Sequence, residues 1–136
     1  MDKQNLLTKL SFELPNVSFD TIIQHTGYSV SYNQKFKQAN WEAYQLTRAE
    51  TSNLFERENK FVADPLIPGT DLFLDYEKSG YDWGYLAPAA DMGFSKITIA
   101  ESFYYSNMSP QVTGFNRGIW KQLEEQTRNW AIGYDS

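Results

Sequence analysis

The stretch that decides the fold begins Tyr81-Asp82-Trp83-Gly84-Tyr85-Leu86-Ala87-Pro88-Ala89-Ala90-Asp91-Met92. Two further blocks follow it, Glu101-Ser102-Phe103-Tyr104-Tyr105-Ser106-Asn107-Met108-Ser109-Pro110-Gln111 and Asn116-Arg117-Gly118-Ile119-Trp120-Lys121-Gln122-Leu123-Glu124. These blocks are dense in polar and charged residues, which are seldom needed to fill a hydrophobic core. We therefore expect the functional site to be assembled from this part of the chain.

The third block opens a helix. At about 100° per residue, the apolar-face positions fall within an arc of about 120°, which predicts one buried stripe. Those positions are Ile119, Trp120, Leu123, Thr127, Trp130 and Ala131. Asn116 suits the N-terminus of this helix as a cap, and an Asn there also suits a metal site. Steps of four place Asn116, Trp120, Glu124 and Arg128 along one flank.

The three blocks closely resemble the DNA/RNA non-specific endonucleases of the ββα-metal group, which includes secreted bacterial nucleases and mitochondrial endonuclease G. The family signature is Asp-Arg-Gly-His-Leu-Ala-Pro-Ala-Ala-Asp-Met, then Ser-Asn-Met-Ser-Pro-Gln, then an Asn that opens a helix. Two positions differ in this chain. Trp83 occupies the position of the family's Arg, and Tyr85 occupies that of its catalytic His.

The resemblance implies an α+β fold of the ββα-metal type, with an antiparallel sheet and a metal-site helix at about 116–132. Members of the family are longer and continue past this helix with further strands. We therefore expect residues 1–136 to form a single, partial domain that lacks the C-terminal part of the family domain. Apolar surface left uncovered predicts a homo-oligomer or a complementing chain.

The implied function is metal-dependent hydrolysis of phosphodiester bonds in DNA and RNA without sequence specificity. Asn116 would be the protein ligand of Mg²⁺, although an oxygen ligand set also admits Mn²⁺ or Ca²⁺. The resemblance assigns catalytic or orienting roles to Tyr85, Arg57, Glu124, Arg128 and Asn107, nucleic-acid contacts to Arg57, Arg117, Lys121 and Arg128, and the motif itself to Asp82, Trp83 and Gly84. From the residues alone, a helix cap and a surface Glu–Arg pair are the simpler interpretation of Asn116, Glu124 and Arg128.

Tyr85 bears directly on activity. A phenol has an ordinary pKa near 10, so about one molecule in a thousand carries the phenolate at neutral pH. General-base catalysis typically contributes about 10²–10⁴-fold, and we expect Tyr85 and Trp83 to impair cleavage. The alternative is a catalytically inactive module that binds nucleic acid or a protein through the same surface. A carbohydrate or lipid binder is less favoured, because abundant aromatic residues usually belong to the core.

Length and composition set the remaining limits. The chain has 136 residues, 41% of them hydrophobic and 21% charged, as expected for one globular domain. Its net charge of -5 excludes binding by a generally basic surface, so phosphate contacts must come from a few cations. Arg48 and Lys60 are additional candidates. No apolar run approaches the length needed to span a bilayer, so no membrane partner is expected, and the absence of cysteine leaves the compartment undetermined.

The first half of the chain predicts a sheet. Residues 28–33 and the run from Trp41 to Thr47 alternate between apolar and polar positions, which favours two antiparallel strands. Residues 1–20 are expected to form a peripheral arm, and residues 71–76 a short strand or turn. His25 is the only histidine, and because its sequence neighbours are neither metal-like nor rich in carboxylates, we expect a structural or surface role rather than catalysis.

Overall fold

The structure is a computed structural model that describes residues 22–58, 60–70 and 79–134. The predictions for the arm at 1–20 and for residues 71–76 lie outside the described residues. The described strands form two antiparallel sheets. They are β1 (Ile23–Gln24), β2 (Ser29–Asn33), β3 (Gln38–Ala43), β4 (Asp82–Tyr85) and β5 (Met108–Gln111), with β1-β2-β3 in one sheet and β4-β5 in the other.

The predicted hairpin is confirmed as β2 and β3, but the predicted bounds of the second strand are wrong. The carboxamide oxygen of Asn33 accepts from the backbone N–H groups of Lys35 and Phe36, which closes a tight turn and lets pairing resume at Gln38. Pairing ends at Ala43, although the alternating pattern continues. The next residue, Tyr44, instead points its hydroxyl at Asp91.

The helical segments connect and follow the second sheet. Short 3₁₀ turns lie at Ala49–Thr51 and Tyr105–Asn107, and the α-helices of four or more residues are α1 (Ala89–Met92), α2 (Lys96–Glu101) and α3 (Lys121–Tyr134). Ser95 caps α2 by accepting from the N–H of Thr98. None of the helices in the described ranges is both long enough and apolar enough to span a bilayer.

β4 and β5 pair in register from Asp82 opposite Gln111 to Tyr85 opposite Met108. The chain leaves β5 through a helical turn at Thr113–Phe115 and a π-helical turn at Asn116–Trp120 before it enters α3. These elements form the expected ββα unit within an α+β fold. The main core packs between the first sheet and the loop around α1, and its buried residues are Tyr28, Val30, Ile67, Ala87 and Met92.

Two expectations for the terminal helix are wrong. Asn116 is not its cap, because helical structure already begins at Thr113 and the N–H of Asn116 bonds the carbonyl of Val112. The predicted apolar stripe is not buried in the described residues, since Ile119, Leu123 and Trp130 are 61%, 50% and 53% exposed. The sequence pattern identifies the apolar face of this helix. That face is buried only where another part of the structure covers it.

Candidate active site

The buried side chain of Asn107 fixes the first motif block through hydrogen bonds. This side chain is fully buried; its carboxamide oxygen accepts from the N–H of Ala87 at 2.8 Å, and its amide donates to the carbonyls of Ala87 and Ser102, both at 2.9 Å. A fourth hydrogen bond comes from the backbone, where the N–H of Leu86 donates to the carbonyl of Asn107. Asn107 therefore fixes the chain just after Tyr85, which is compatible with the orienting role expected for it.

Tyr85 lies at the end of β4 against aromatic rings. Its ring centroid is 6.2 Å from that of Phe61 and 6.1 Å from that of Phe103. Arg57 donates to the Tyr85 hydroxyl at 2.9 Å, and its guanidinium carbon lies 5.5 Å from the centre of the ring. Burial raises the pKa of Tyr85 above its ordinary value, and this outweighs the lowering caused by Arg57.

Trp83 occupies the same face of β4 as Tyr85 and belongs to an aromatic cluster. Its ring meets Phe61 edge-on at 5.8 Å and Tyr105 edge-on at 5.4 Å. Gly84 between them is buried, and a Cβ there would come within 2.1 Å of the Gln111 side chain on the paired strand. A side chain at position 84 would therefore require the Gln111 side chain to change its conformation.

Asn116 reaches the other end of β4. Its amide donates to Asp82 at 3.0 Å, and the same carboxylate accepts from Arg117 at 2.9 and 3.2 Å and from Thr113 at 3.1 Å. The hydrogen bonds from Asn116 and Arg117 lower the pKa of Asp82. This arrangement orients the Asn116 carboxamide and keeps Asp82 ionised.

The helix flank carries the next two predicted residues. Arg128 donates to Asp91 at 2.7 Å, and Asp91, which is fully buried, also accepts from the Tyr44 hydroxyl at 2.8 Å. Burial and the Asp91 carboxylate raise the pKa of Glu124 to about 7, despite the lowering by Arg128 and Trp120. The indole N–H of Trp120 donates to the carbonyl of Tyr85 at 3.3 Å, which ties the helix to the motif strand.

The structure thus places the predicted residues in three neighbouring groups, centred on Tyr85, Asp82 and Asp91. Lys121 lies apart on the exposed side of α3 beside Glu125, Lys60 pairs with Glu58, and Arg48 donates to the carbonyl of Ile132 near the end of α3. Sequence reasoning missed Asp91 as the partner of Arg128. Its position as a carboxylate within the apolar run Ala89-Ala90-Asp91-Met92 was the available signal.

The sequence expectation for His25 is corrected in one respect. The fold brings Asp64 to 2.7 Å from its Nε2 and Glu101 to 2.9 Å from its Nδ1, so carboxylates surround it in space though not in sequence. Burial disfavours the charged imidazole, but hydrogen bonds to both carboxylates prevail and raise the pKa of His25 to about 9. His25 is buried, so of the two roles expected for it, structural or surface, the structural one applies.

The family model for the DNA/RNA non-specific endonucleases matches residues 8–136. The chain belongs to this family. It is 37% identical over 121 residues to Nuclease C1 of Cunninghamella echinulata var. echinulata and 34% identical over 132 residues to the mitochondrial Nuclease 1 of Schizosaccharomyces pombe, covering 85% and 92% of this chain. It spans 48% and 40% of those two relatives, which is less than half of their length.

A solved structure agrees with the fold. A chain in the crystal structure of the EndoG/EndoGI complex matches with a TM-score of 0.84 and 29% identity, over 96% of this chain and 55% of that one. This likeness confirms the ββα-metal nuclease fold expected from the motif blocks. The matched length again corresponds to about half of the solved chain.

Proposed function

We propose that this chain binds DNA and RNA without sequence specificity at the surface formed by Arg57, Tyr85, Asn116 and Arg128, and that it hydrolyses phosphodiester bonds weakly. The observation that carries this proposal is the environment of Tyr85. Its phenol accepts a hydrogen bond from Arg57 and has a raised pKa, so it is neutral at physiological pH. A neutral phenol cannot take a proton from the attacking water as imidazole does.

Among the candidate cations, Arg57 is the best placed to hold a phosphate. Arg117 and Arg128 are engaged by Asp82 and Asp91, and Lys121 lies 3.9 Å from Glu125. Arg57 is exposed and donates to the hydroxyl of Tyr85, so it lies beside the residue at the family's catalytic His position. A guanidinium in this position matches phosphate oxygens geometrically, and the phenolic O–H can donate to the same phosphate.

The residues present fit a hydrated divalent cation. The amide of Asn116 donates to Asp82, which leaves its carboxamide oxygen as the ligand atom, and Glu124 supplies a partly buried carboxyl group on the same flank. No cluster of three or more acidic or histidine side chains able to hold a metal occurs in the described ranges. Mg²⁺, which keeps most of its waters, tolerates such a sparse set, and Mn²⁺ or Ca²⁺ are alternatives. When bound, this ion would neutralise charge on the phosphate oxygens.

The test is a plasmid-nicking assay with Mg²⁺. We predict that Tyr85→His raises the nicking rate by about 10²-fold or more, because it restores a base that titrates near neutral pH. Tyr85→Phe is the matched control: it keeps the ring and loses the hydroxyl, and we expect it to cleave no faster than the unaltered chain. Fluorescence anisotropy with a labelled oligonucleotide measures binding in parallel.

Trp83→Arg is tested separately in the same assay. Trp83 packs in an aromatic cluster, so replacing it removes core contacts as well as adding a guanidinium. Nicking by the Tyr85→His variant, with or without Trp83→Arg, supports an impaired nuclease site. Binding without nicking by either variant identifies a module that only binds nucleic acid. The absence of both binding and nicking would contradict the proposed function.

A protein-binding role has one observation in its favour, which is the exposed apolar face of α3. Ile119, Leu123 and Trp130 share that face and are each at least half exposed. Such a face favours association with a second copy or with a complementing chain. Light scattering over a concentration series tests this, and a monodisperse monomer at every concentration would count against it.

A further inference from the structure

A segment called here the strap, residues 53–58 and 60–62, lies between the motif strand and α2. Near its start, the N–H groups of Leu54 and Phe55 donate to the carbonyl of Gly93 at 3.0 and 3.1 Å. At its other end, Val62 exchanges backbone hydrogen bonds with Phe103 and Tyr105 at 3.2 and 2.9 Å. The strap is therefore fastened at both ends.

Between the strap and α2 lies a cavity of about 480 Å³, open on one side. Its walls are apolar, with Phe55, Val62, Ile99 and Phe103, and cations stand at its rim, among them Arg57 and Lys96. The rim also carries Glu56 and Glu58, the latter paired with Lys60 at 3.4 Å. The volume lies within the range of small-ligand sites, at about 300–1,000 Å³.

This cavity adjoins the candidate active site directly. Phe103 forms part of its wall and also meets the Tyr85 ring edge-on at 6.1 Å. Arg57 lines the cavity and at the same time donates to the Tyr85 hydroxyl. A phosphate on Arg57 would thus have an apolar recess beside it.

We propose that this cavity holds an unstacked nucleobase of a single-stranded DNA or RNA whose neighbouring phosphate lies on Arg57. The ring of Phe55, which is 40% exposed, provides a stacking surface for the base, and Lys96 lines the same cavity as a second cation. Stacking on an aromatic ring tolerates any base, so the recess adds affinity without sequence preference. A paired base would first have to leave its duplex, which makes single strands the favoured substrate class. This inference rests on the proposed function.

The experiment compares a labelled single-stranded oligonucleotide with a blunt duplex of the same sequence, as DNA and as RNA, by fluorescence anisotropy in Mg²⁺. A gel run afterwards confirms that the probes remain intact. Phe55→Ala is expected to weaken single-strand binding about fivefold or more and to change duplex binding less than about twofold. Phe55→Tyr keeps the ring and should retain affinity.

Phe36→Ala is the matched control, because Phe36 is an aromatic residue, 63% exposed, at the tip of the β2–β3 hairpin and outside the cavity. We expect it to change neither affinity. If Phe55→Ala weakens both probes equally, or weakens neither while Arg57→Ala weakens both, the nucleobase recess is refuted and nucleic-acid binding stands. If neither probe binds the unaltered chain, the recess and the proposed function are both refuted.

Discussion

Behind the first motif block, polar side chains are buried, whereas on helix α3 apolar side chains are exposed. Asn107 and Asp64 have essentially no contact with solvent, yet each makes several hydrogen bonds. On α3, Leu123 and Trp130 are about half exposed. Buried polar groups are stable only when their partners are in place, and Asn107 and Asp64 both have theirs within the described residues.

The helix is attached mainly through its polar flank. Trp120 donates to the carbonyl of Tyr85, Arg128 to Asp91, and Arg48 to the carbonyl of Ile132. These contacts hold the helix beside the motif, but they bury little apolar surface, which is the main source of stability in packing. The motif strand is therefore fixed by buried hydrogen bonds, whereas α3, which carries Glu124, leaves its apolar face largely uncovered.

The largest expected effect is on the buried polar region. We predict that His25→Asn lowers the free energy of unfolding by about 3–5 kcal/mol, because it leaves the buried carboxylates of Asp64 and Glu101 without their cation. Urea denaturation followed by circular dichroism measures it. The control is Lys60→Ala, which breaks the exposed pair with Glu58 and should cost less than about 0.5 kcal/mol. Equal losses for the two variants would show that the buried cluster contributes no more to stability than an exposed ion pair.

The same buried cluster should make the free energy of unfolding depend on pH. The pKa of His25 is raised to about 9 from an ordinary 6.5, so its contribution is full below about pH 6.5 and is lost as pH rises towards about 9. The pKa values of Asp64 and Glu101 are lowered, so their contribution is present above their ordinary values, near 4, and is lost on acidification. Stability should therefore fall on both sides of a plateau, and the alkaline fall should be absent in His25→Asn. An alkaline fall of the same size in the variant would exclude His25 as its cause.

A smaller loss is expected at Asn107. We predict that Asn107→Ala destabilises the chain by about 2–3 kcal/mol, because backbone groups of Ala87 and Ser102 lose their partners in a buried place. Denaturant titration measures it. Asn129→Ala on the exposed side of α3 is the matched control and should change stability by less than about 0.5 kcal/mol. A loss at Asn107 no larger than at Asn129 would show that the motif does not depend on this side chain.

The sequence predicted the elements whose signals are local. The β2–β3 hairpin, the helix after Asn116 and the family fold all follow from short patterns, and the motif blocks located Asp82, Tyr85 and Asn116. What the sequence did not reveal depends on contacts between distant residues. Asp64 and Glu101 lie 39 and 76 positions from His25, and Asp91 lies 37 positions from Arg128.

The predicted bounds of β3 and the predicted start of the terminal helix are wrong for a related reason. Alternation continues past Ala43 in the sequence, but strand pairing ends where the Tyr44 hydroxyl reaches Asp91. Asn116 has the chemistry of a cap, yet helical turns already begin at Thr113, so its amide is available to Asp82. Local propensity does not report which tertiary partner is present.

The smallest expected effect on unfolding belongs to the apolar face of α3. Leu123→Lys should change the free energy of unfolding of a dilute sample by less than about 0.5 kcal/mol, because the side chain is already half exposed. At high concentration it should reduce self-association, since a charge on an apolar contact surface opposes burial. Sedimentation velocity over a concentration series measures this, with Gln122→Lys as a control that adds the same charge one residue away. A large destabilisation of the dilute Leu123→Lys variant would mean that this face is covered within the chain itself, and the contrast between the two regions would fail.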